Sequence, residues 1–284
     1  MIRILFLLTI IIFFYFYYFY KNEYIELFTE KIPDDIYANL NYLVFSYQPM
    51  YDNDCKQISR ILKKNHNKIL ICNIGNTRHI KSFMNYKNEY FIIDNNISSI
   101  NLLKKHIPII KNIKYDDILK PNTYKNKQFD AICALHQPIY ECNKSEFGQK
   151  IANINFWLKD DGLLFITIFD RNKLDPGPRE YSMYYTDNNN NYHSLTYFKD
   201  LTHDAYFNIE DNEYVIYNEK FILKNGKTKE KISRLYIPNK DVIFNLLHKN
   251  NFKHLSELNN NDDNEELKTY VFKKYKSYNN YISI

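Results

Sequence analysis

Ile69-Leu70-Ile71-Cys72 runs into Asn73-Ile74-Gly75-Asn76-Thr77, and after a helix-length gap Tyr90-Phe91-Ile92-Ile93 ends on Asp94. From Lys68 to Asp94 the chain therefore reads strand, glycine-bearing turn, helix, strand, acid. Short apolar runs bounded by Asn and Gly have the length and punctuation of buried strands. A nucleoside site without phosphates needs both ends of such a unit. Backbone at the first strand's end must come close to the ligand, and a carboxylate at the second strand's end must accept from ribose hydroxyls. The separation of Gly75 and Asp94 fits the offset of roughly 20 residues between those two tasks.

The alternation continues on both sides. Asp52 to Asn65 predicts an amphipathic helix with Ile58, Ile61 and Leu62 on one face. Helices follow over Arg78 to Tyr86 and Ser98 to His106, then a third strand over Ile109 to Tyr115 that ends on Asp116-Asp117. A fourth strand, Phe129 to Leu135, precedes His136, and helix Ser145 to Leu158 leads through a turn, Leu158 to Gly162, into a fifth strand, Leu163 to Phe169. Strands alternating with helices predict a parallel sheet covered on both faces. Right-handed crossovers place the strand C-termini on one edge, where ligands bind. Gly75, Asp94, Asp117 and His136 all fall on that edge.

Between Asp170 and Ile237 the alternation breaks. Tyr217 to Leu223 and Lys227 to Tyr236 flank Asn225-Gly226, a two-residue hairpin signal, and Ser194 to Phe207 reads as one partner strand. This region is expected to be an inserted antiparallel subdomain. A helix over Asp241 to Lys249 follows, and two last strands, Phe252 to Leu258 and Leu267 to Lys274, flank the acidic loop Asp262 to Glu266.

From Tyr51 to Tyr275 this order resembles the class I methyltransferases that use S-adenosylmethionine (SAM). The resemblance implies an α/β fold: a Rossmann-like seven-stranded sheet closed by a C-terminal β-hairpin, with the inserted antiparallel β subdomain attached. It implies SAM as cofactor, with Asn73, Gly75 and Asn76 approaching the methionine part, Asp94 and Asn95 at the ribose, and Asp117 near the adenine. His136 falls where the family places residues facing the transferring methyl, which makes it the candidate catalytic residue; a structural hydrogen bond at a strand end is the competing account. Tyr140, Arg179 and Tyr197 are candidate contacts for the methyl acceptor. The first turn departs from the family pattern, since Asn73 and Thr77 stand where glycines are usual and Ile71 where an acid is common. A membrane-anchored interaction or structural protein that kept the fold without catalysis is therefore the alternative function. No His/Cys cluster has metal-ligand spacing.

Composition sets the remaining bounds. The 284 residues include 27 Tyr and 20 Phe but only 5 Gly, a skew toward AT-rich codons of the kind found in some large DNA viruses and parasites. The net charge of +5 is spread over scattered lysines, so a nucleic-acid partner is not expected. Four cysteines without framework spacing read as free thiols. Ile4 to Tyr20 is an uninterrupted apolar and aromatic run at the lower length limit, about 17 residues, for crossing a bilayer. Tyr15, Tyr17, Tyr18 and Tyr20 crowd its end, where amphipathic rings suit the headgroup layer. It is expected to be an uncleaved transmembrane helix, which makes the membrane a partner and the location a single-pass anchorage, with the side of the membrane open. The organisation is then anchor 1–21, linker 22–51, methyltransferase-like domain 52–275 with the insert at 170–237, and tail 276–284. The acceptor and the oligomeric state are left open by the sequence.

Overall fold

Alternate residues of a strand point to opposite faces, and the first strand uses both: Ile69 and Ile71 enter one apolar core, Leu70 and Cys72 the other. A strand buried on both sides needs helices on both sides, and that is the arrangement of this computed structural model. It describes residues 40, 49–62, 67–72, 74, 78–135, 137–177, 182–258 and 267–276. The elements run α1 (Pro49–Leu62), β1 (Lys68–Cys72), α2 (Arg78–Phe83), β2 (Glu89–Asp94), α3 (Ile97–His106), β3 (Asn112–Tyr115), β4 (Phe129–Ala134), α4 (Lys144–Trp157) and β5 (Leu158–Phe169). The insert supplies β6 (Ser182–Thr186), β7 (Tyr192–Tyr197), β8 (Leu201–Ile209), β9 (Tyr214–Leu223) and β10 (Thr228–Tyr236). Helix α5 (Lys240–Lys249), β11 (Phe252–Glu257) and β12 (Leu267–Lys274) complete the chain order.

The main sheet has the order β11-β12-β5-β4-β1-β2-β3. Neighbours from β5 to β3 are parallel, and β12 runs antiparallel to both β5 and β11. On one face Cys55, Ile58, Ile80, Phe83 and Leu103 of α1, α2 and α3 close over Ile69, Ile71 and Cys133. On the other, Phe147, Ile151 and Ile154 of α4 and Ile243 and Leu247 of α5 cover Leu70, Ile132 and Leu164. Each such fully buried side chain contributes roughly 1.5–3 kcal/mol of transfer free energy. The starts of α3 and α4 are set by asparagines. Asn96 accepts from the amides of Ser98 and Ser99, and Asn143 forms a capping box with Glu146.

Several boundaries differ from expectation. Strand β3 begins at Asn112 rather than Ile109, because Ile109-Ile110 is taken up by a turn in which Ile110 N–H donates to Ile107 O at 3.3 Å. Helix α2 stops at Phe83, where Tyr86 N–H turns back to Phe83 O at 3.0 Å. The anticipated turn from Leu158 to Gly162 lies inside β5 as a bulge: β4 pairs Phe129 with Leu158 and next Ala131 with Leu163. Asp161 takes φ 63° there. A Cβ on Gly162 would come within 2.8 Å of Leu158 Cγ, so that glycine is required by close approach.

The insert is a five-stranded antiparallel sheet of order β10-β9-β8-β7-β6. The stretch expected as one strand, Ser194 to Phe207, is two, β7 and β8, joined by a turn closed by Phe198 N–H to Leu201 O at 2.8 Å. Edge strand β6 was not anticipated. The Asn225-Gly226 hairpin forms, with a three-residue loop instead of two: Gly226 donates to Leu223 O, Leu223 to Lys227 O, and Gly226 is left-handed at φ 79°. Among the described residues no helix is long and apolar enough to cross a membrane. The anchor expected over Ile4 to Tyr20 and the linker to Gln48, apart from Leu40, lie outside them.

Candidate functional site

Parallel pairing brings the ends of β1, β2 and β3 together, with Cys72 opposite Ile93 and Asp94 opposite Tyr115. Asp94, the last residue of β2, is only 4% exposed. Its Oδ1 accepts from Asn96 N–H at 2.7 Å, which orients the carboxylate at the sheet edge. Its carbonyl accepts from Asp116 N–H at 3.1 Å, tying the end of β3 alongside. Asn95 follows, exposed, before Asn96 caps α3. Past β3 the two adjacent carboxylates divide. Asp116 pairs with Lys120 at 2.8 Å and accepts from Thr123, and the Lys120 hydrogen bond holds its carboxyl below the usual range. Asp117, half-buried, accepts from Leu119 N–H at 2.9 Å.

This donor and acceptor set fits a phosphate-free nucleoside. Carboxylates at the ends of two neighbouring strands can accept from hydroxyl and amine donors of a ligand and would repel a pyrophosphate. Asn73, Gly75, Asn76 and His136 lie outside the described residues, as does Arg179.

The proposed acceptor contacts fare differently. Tyr140 is fully buried, stacks on Phe147 with ring centroids 5.5 Å apart, and donates its hydroxyl to Thr167 O at 2.7 Å. It is a core residue, because the 3₁₀ turn after β4 folds it inward rather than along the edge. Tyr197 is 62% exposed at the end of β7. It shares the face of Leu195 and His193, opposite to the face where Ala205, Val215 and Tyr217 meet the main core. Neither tyrosine is among the residues lining the cavity at the end of β5.

The insert is fastened at the end of β5. Arg171, 8% exposed, donates to the carbonyls of Ile237 at 2.7 Å and Tyr214 at 3.1 Å, and to that of Asp211. Tyr217 donates to Pro176 O at 2.9 Å. Beside Arg171 a cavity of about 520 Å³ opens between the end of β5, the start of β12 and the first residues of α5. Sequence reasoning missed it. Its only linear signal is Asp170-Arg171-Asn172-Lys173 directly after a strand, and its other wall comes from residues some 70 and 100 positions away in the chain.

Burial pushes the thiols of Cys55, Cys72 and Cys133 well above the ordinary thiol range and that of Cys142 upward, which disfavours their thiolate forms. Among the described residues no His/Cys/Asp/Glu group is arranged to hold a metal.

No family model matches this sequence, and no curated protein is significantly similar to it. Solved structures are similar in fold. A SAM-dependent methyltransferase from Clostridium acetobutylicum superposes with a TM-score of 0.64 at 13% identity, over 81% of this chain and 93% of that one. SAM-bound CalS10, an amino pentose methyltransferase from Micromonospora echinaspora, gives 0.59 at 11%, over 79% and 91%. DesVI from Streptomyces venezuelae gives 0.60 at 11%, over 85% and 99%. The fold is thus the class I SAM-dependent methyltransferase fold, with a mostly parallel seven-stranded sheet and a separate antiparallel one. At these identities the likeness is one of fold.

Proposed function

We propose that this chain binds SAM along the edge formed by β1, β2 and β3 and transfers its methyl group to an acceptor entering beside the insert. The observation that carries the reading is the buried carboxylate of Asp94, oriented by Asn96 N–H at the end of β2 in a methyltransferase sheet. When bound, the cofactor supplies an electrophilic methyl on a sulfonium whose leaving group needs no proton. Asp94 accepts from the ribose hydroxyls, Asn95 borders the same site, and Asp117 receives the adenine amine. The family resemblance assigns Asn73, Gly75 and Asn76 to the methionine part of the cofactor and His136 to the transferring methyl. The chain's remaining task is to hold the acceptor in line, so proximity supplies much of the rate and a proton-transfer triad is not required.

Calorimetry of the full chain with SAM and with NAD tests this. Binding of SAM alone supports the reading. The alternative, a methyltransferase fold kept for interaction or structure, is favoured by the single glycine of the first turn, with Asn73 and Thr77 beside it, and binding of neither ligand selects it. We further propose that Ile4 to Tyr20 anchors the protein in a membrane as a single span. The support is the run's length and its tyrosine-rich end.

A further inference from the structure

The cavity at the end of β5 carries an imbalance of charge. Its lining includes Arg171, Lys173, Lys240 and Lys268 against two carboxylates, Asp170 and Asp241. We propose that it is an anion-binding subsite that takes a phosphate or carboxylate group of the methyl acceptor.

Arg171 is the fixed part of this charge. Its guanidinium is buried, and the hydrogen bonds described above all go to neutral backbone carbonyls, so they orient the charge without cancelling it. Burial pulls its pKa down, and the nearby Asp211 charge opposes that only in part. The rest of the charge comes from lysines on both walls. Lys240 Nζ stands 4.7 Å from the Tyr270 ring, a cation–π contact that holds it at the cavity wall. Lys268 shares its ammonium with Glu257 at 2.9 Å, and both side chains are about 41% exposed, so an incoming anion competes for it against a solvated partner. Of the two carboxylates, Asp170 accepts from Asn172 N–H at 3.0 Å and caps the turn after β5. Ile168, Phe169 and Tyr270 give the cavity an apolar side against which the body of a ligand can lie.

Position ties the cavity to the acceptor rather than to the cofactor. Strands β2, β1, β4 and β5 are successive neighbours, so three interstrand steps of about 4.8 Å put the cavity about 14 Å along the edge from Asp94. A cofactor whose ribose lies at β2 has its reactive end toward β4. A group held at the end of β5 then belongs to the molecule approaching from the other side. Binding energy gathered at such a remote group positions the reacting atom. This assignment rests on the methyltransferase reading.

The test uses the full chain and titrates it with inorganic phosphate and, separately, with acetate, each with and without saturating SAM, while SAM affinity is measured on its own. The expected result is saturable binding of one ion that weakens as salt is raised. Lys240→Gln combined with Lys268→Gln should weaken it tenfold or more, with SAM affinity within twofold of the parent and an unchanged thermal melt. Preference for phosphate identifies a phosphorylated acceptor, and preference for acetate a carboxylated one. Absence of binding for both ions, or binding that the double variant leaves unchanged, overturns the subsite. Ion binding in a chain that does not bind SAM overturns its assignment to a methyl acceptor, and the separate SAM titration shows which reading has failed.

Discussion

Asp94 and Asp54 are both almost completely buried, in different hydrogen-bonding surroundings. Asp94 accepts an amide hydrogen bond from Asn96 at the sheet edge. Asp54, on α1, faces Thr269 Oγ1 at 3.1 Å, while its Oδ1 has no hydrogen-bond partner among the described residues. Burial raises its pKa to about 7, and the Thr269 hydrogen bond offsets only part of that. Asp94→Ala should weaken SAM binding by roughly 1.5–3 kcal/mol, tenfold or more; calorimetric affinity equal to the parent's would remove the proposed site. For Asp54 the native state keeps a proton that the unfolded chain sheds near its ordinary carboxyl pKa. Its contribution is therefore fully present below about pH 4 and is lost as pH rises toward about 7, on the order of 4 kcal/mol in all. Asp54→Asn should flatten that decline in urea melts between pH 4.5 and 8, and a slope as steep as the parent's would show that Asp54 is not its source. Asp94 was legible because a strand's end announces itself in sequence. Asp54 was not, since nothing in a polar helix position points to a threonine 215 residues away.

Elements were legible where apolar runs are short and bounded, as at β1, β2 and β4. They were not where tertiary contact decides. Strands β7 and β8 read as one because Tyr197-Phe198 continues the apolar pattern through the turn that Leu201 O closes. Strand β6 hides because most of its side chains are exposed, so it lacks the buried alternation that marks a strand. Two glycines of the insert separate backbone strain from crowding. Gly226 at φ 79° has nothing within 4 Å of an added Cβ, so Gly226→Ala should cost only the left-handed penalty, about 1–2 kcal/mol. At Gly177 an added Cβ would meet Ser194 Oγ at 1.7 Å and Ser194 Cβ at 2.6 Å. Gly177→Ala should lower the thermal midpoint more than Gly226→Ala, and Ser194→Gly should recover part of the loss in a double-mutant cycle. Additive effects of the two substitutions would show that the loop from Leu174 to Gly177 does not press on β7.

At the scale of the molecule, sheet order followed from the alternation of strands and helices, and the closing antiparallel hairpin distinguished this sheet from a dinucleotide-binding one. The cavity was invisible at every scale below this one, because its walls meet only when β12 lies against β5. The proposed anchor also belongs here. After carbonate extraction the full-length protein should stay in the membrane fraction with its original N-terminus; release, or a mature N-terminus beyond Tyr20, would sink that proposal.

Strand β12 sits between β5 and β11, yet it is the last described strand to leave the ribosome. Until it arrives, β5 offers an unpaired edge from Leu163 to Phe169, the stretch that β12 later covers. Such an edge invites pairing with other chains, and the delay is set by translation rather than by diffusion. Nascent protein therefore spends the synthesis of roughly a hundred residues with one edge of its sheet unsealed, and a message cut short before Leu267 should yield aggregates rather than a smaller folded domain. Chaperone demand during synthesis is the cost built into a sheet that the final strand must enter from its interior.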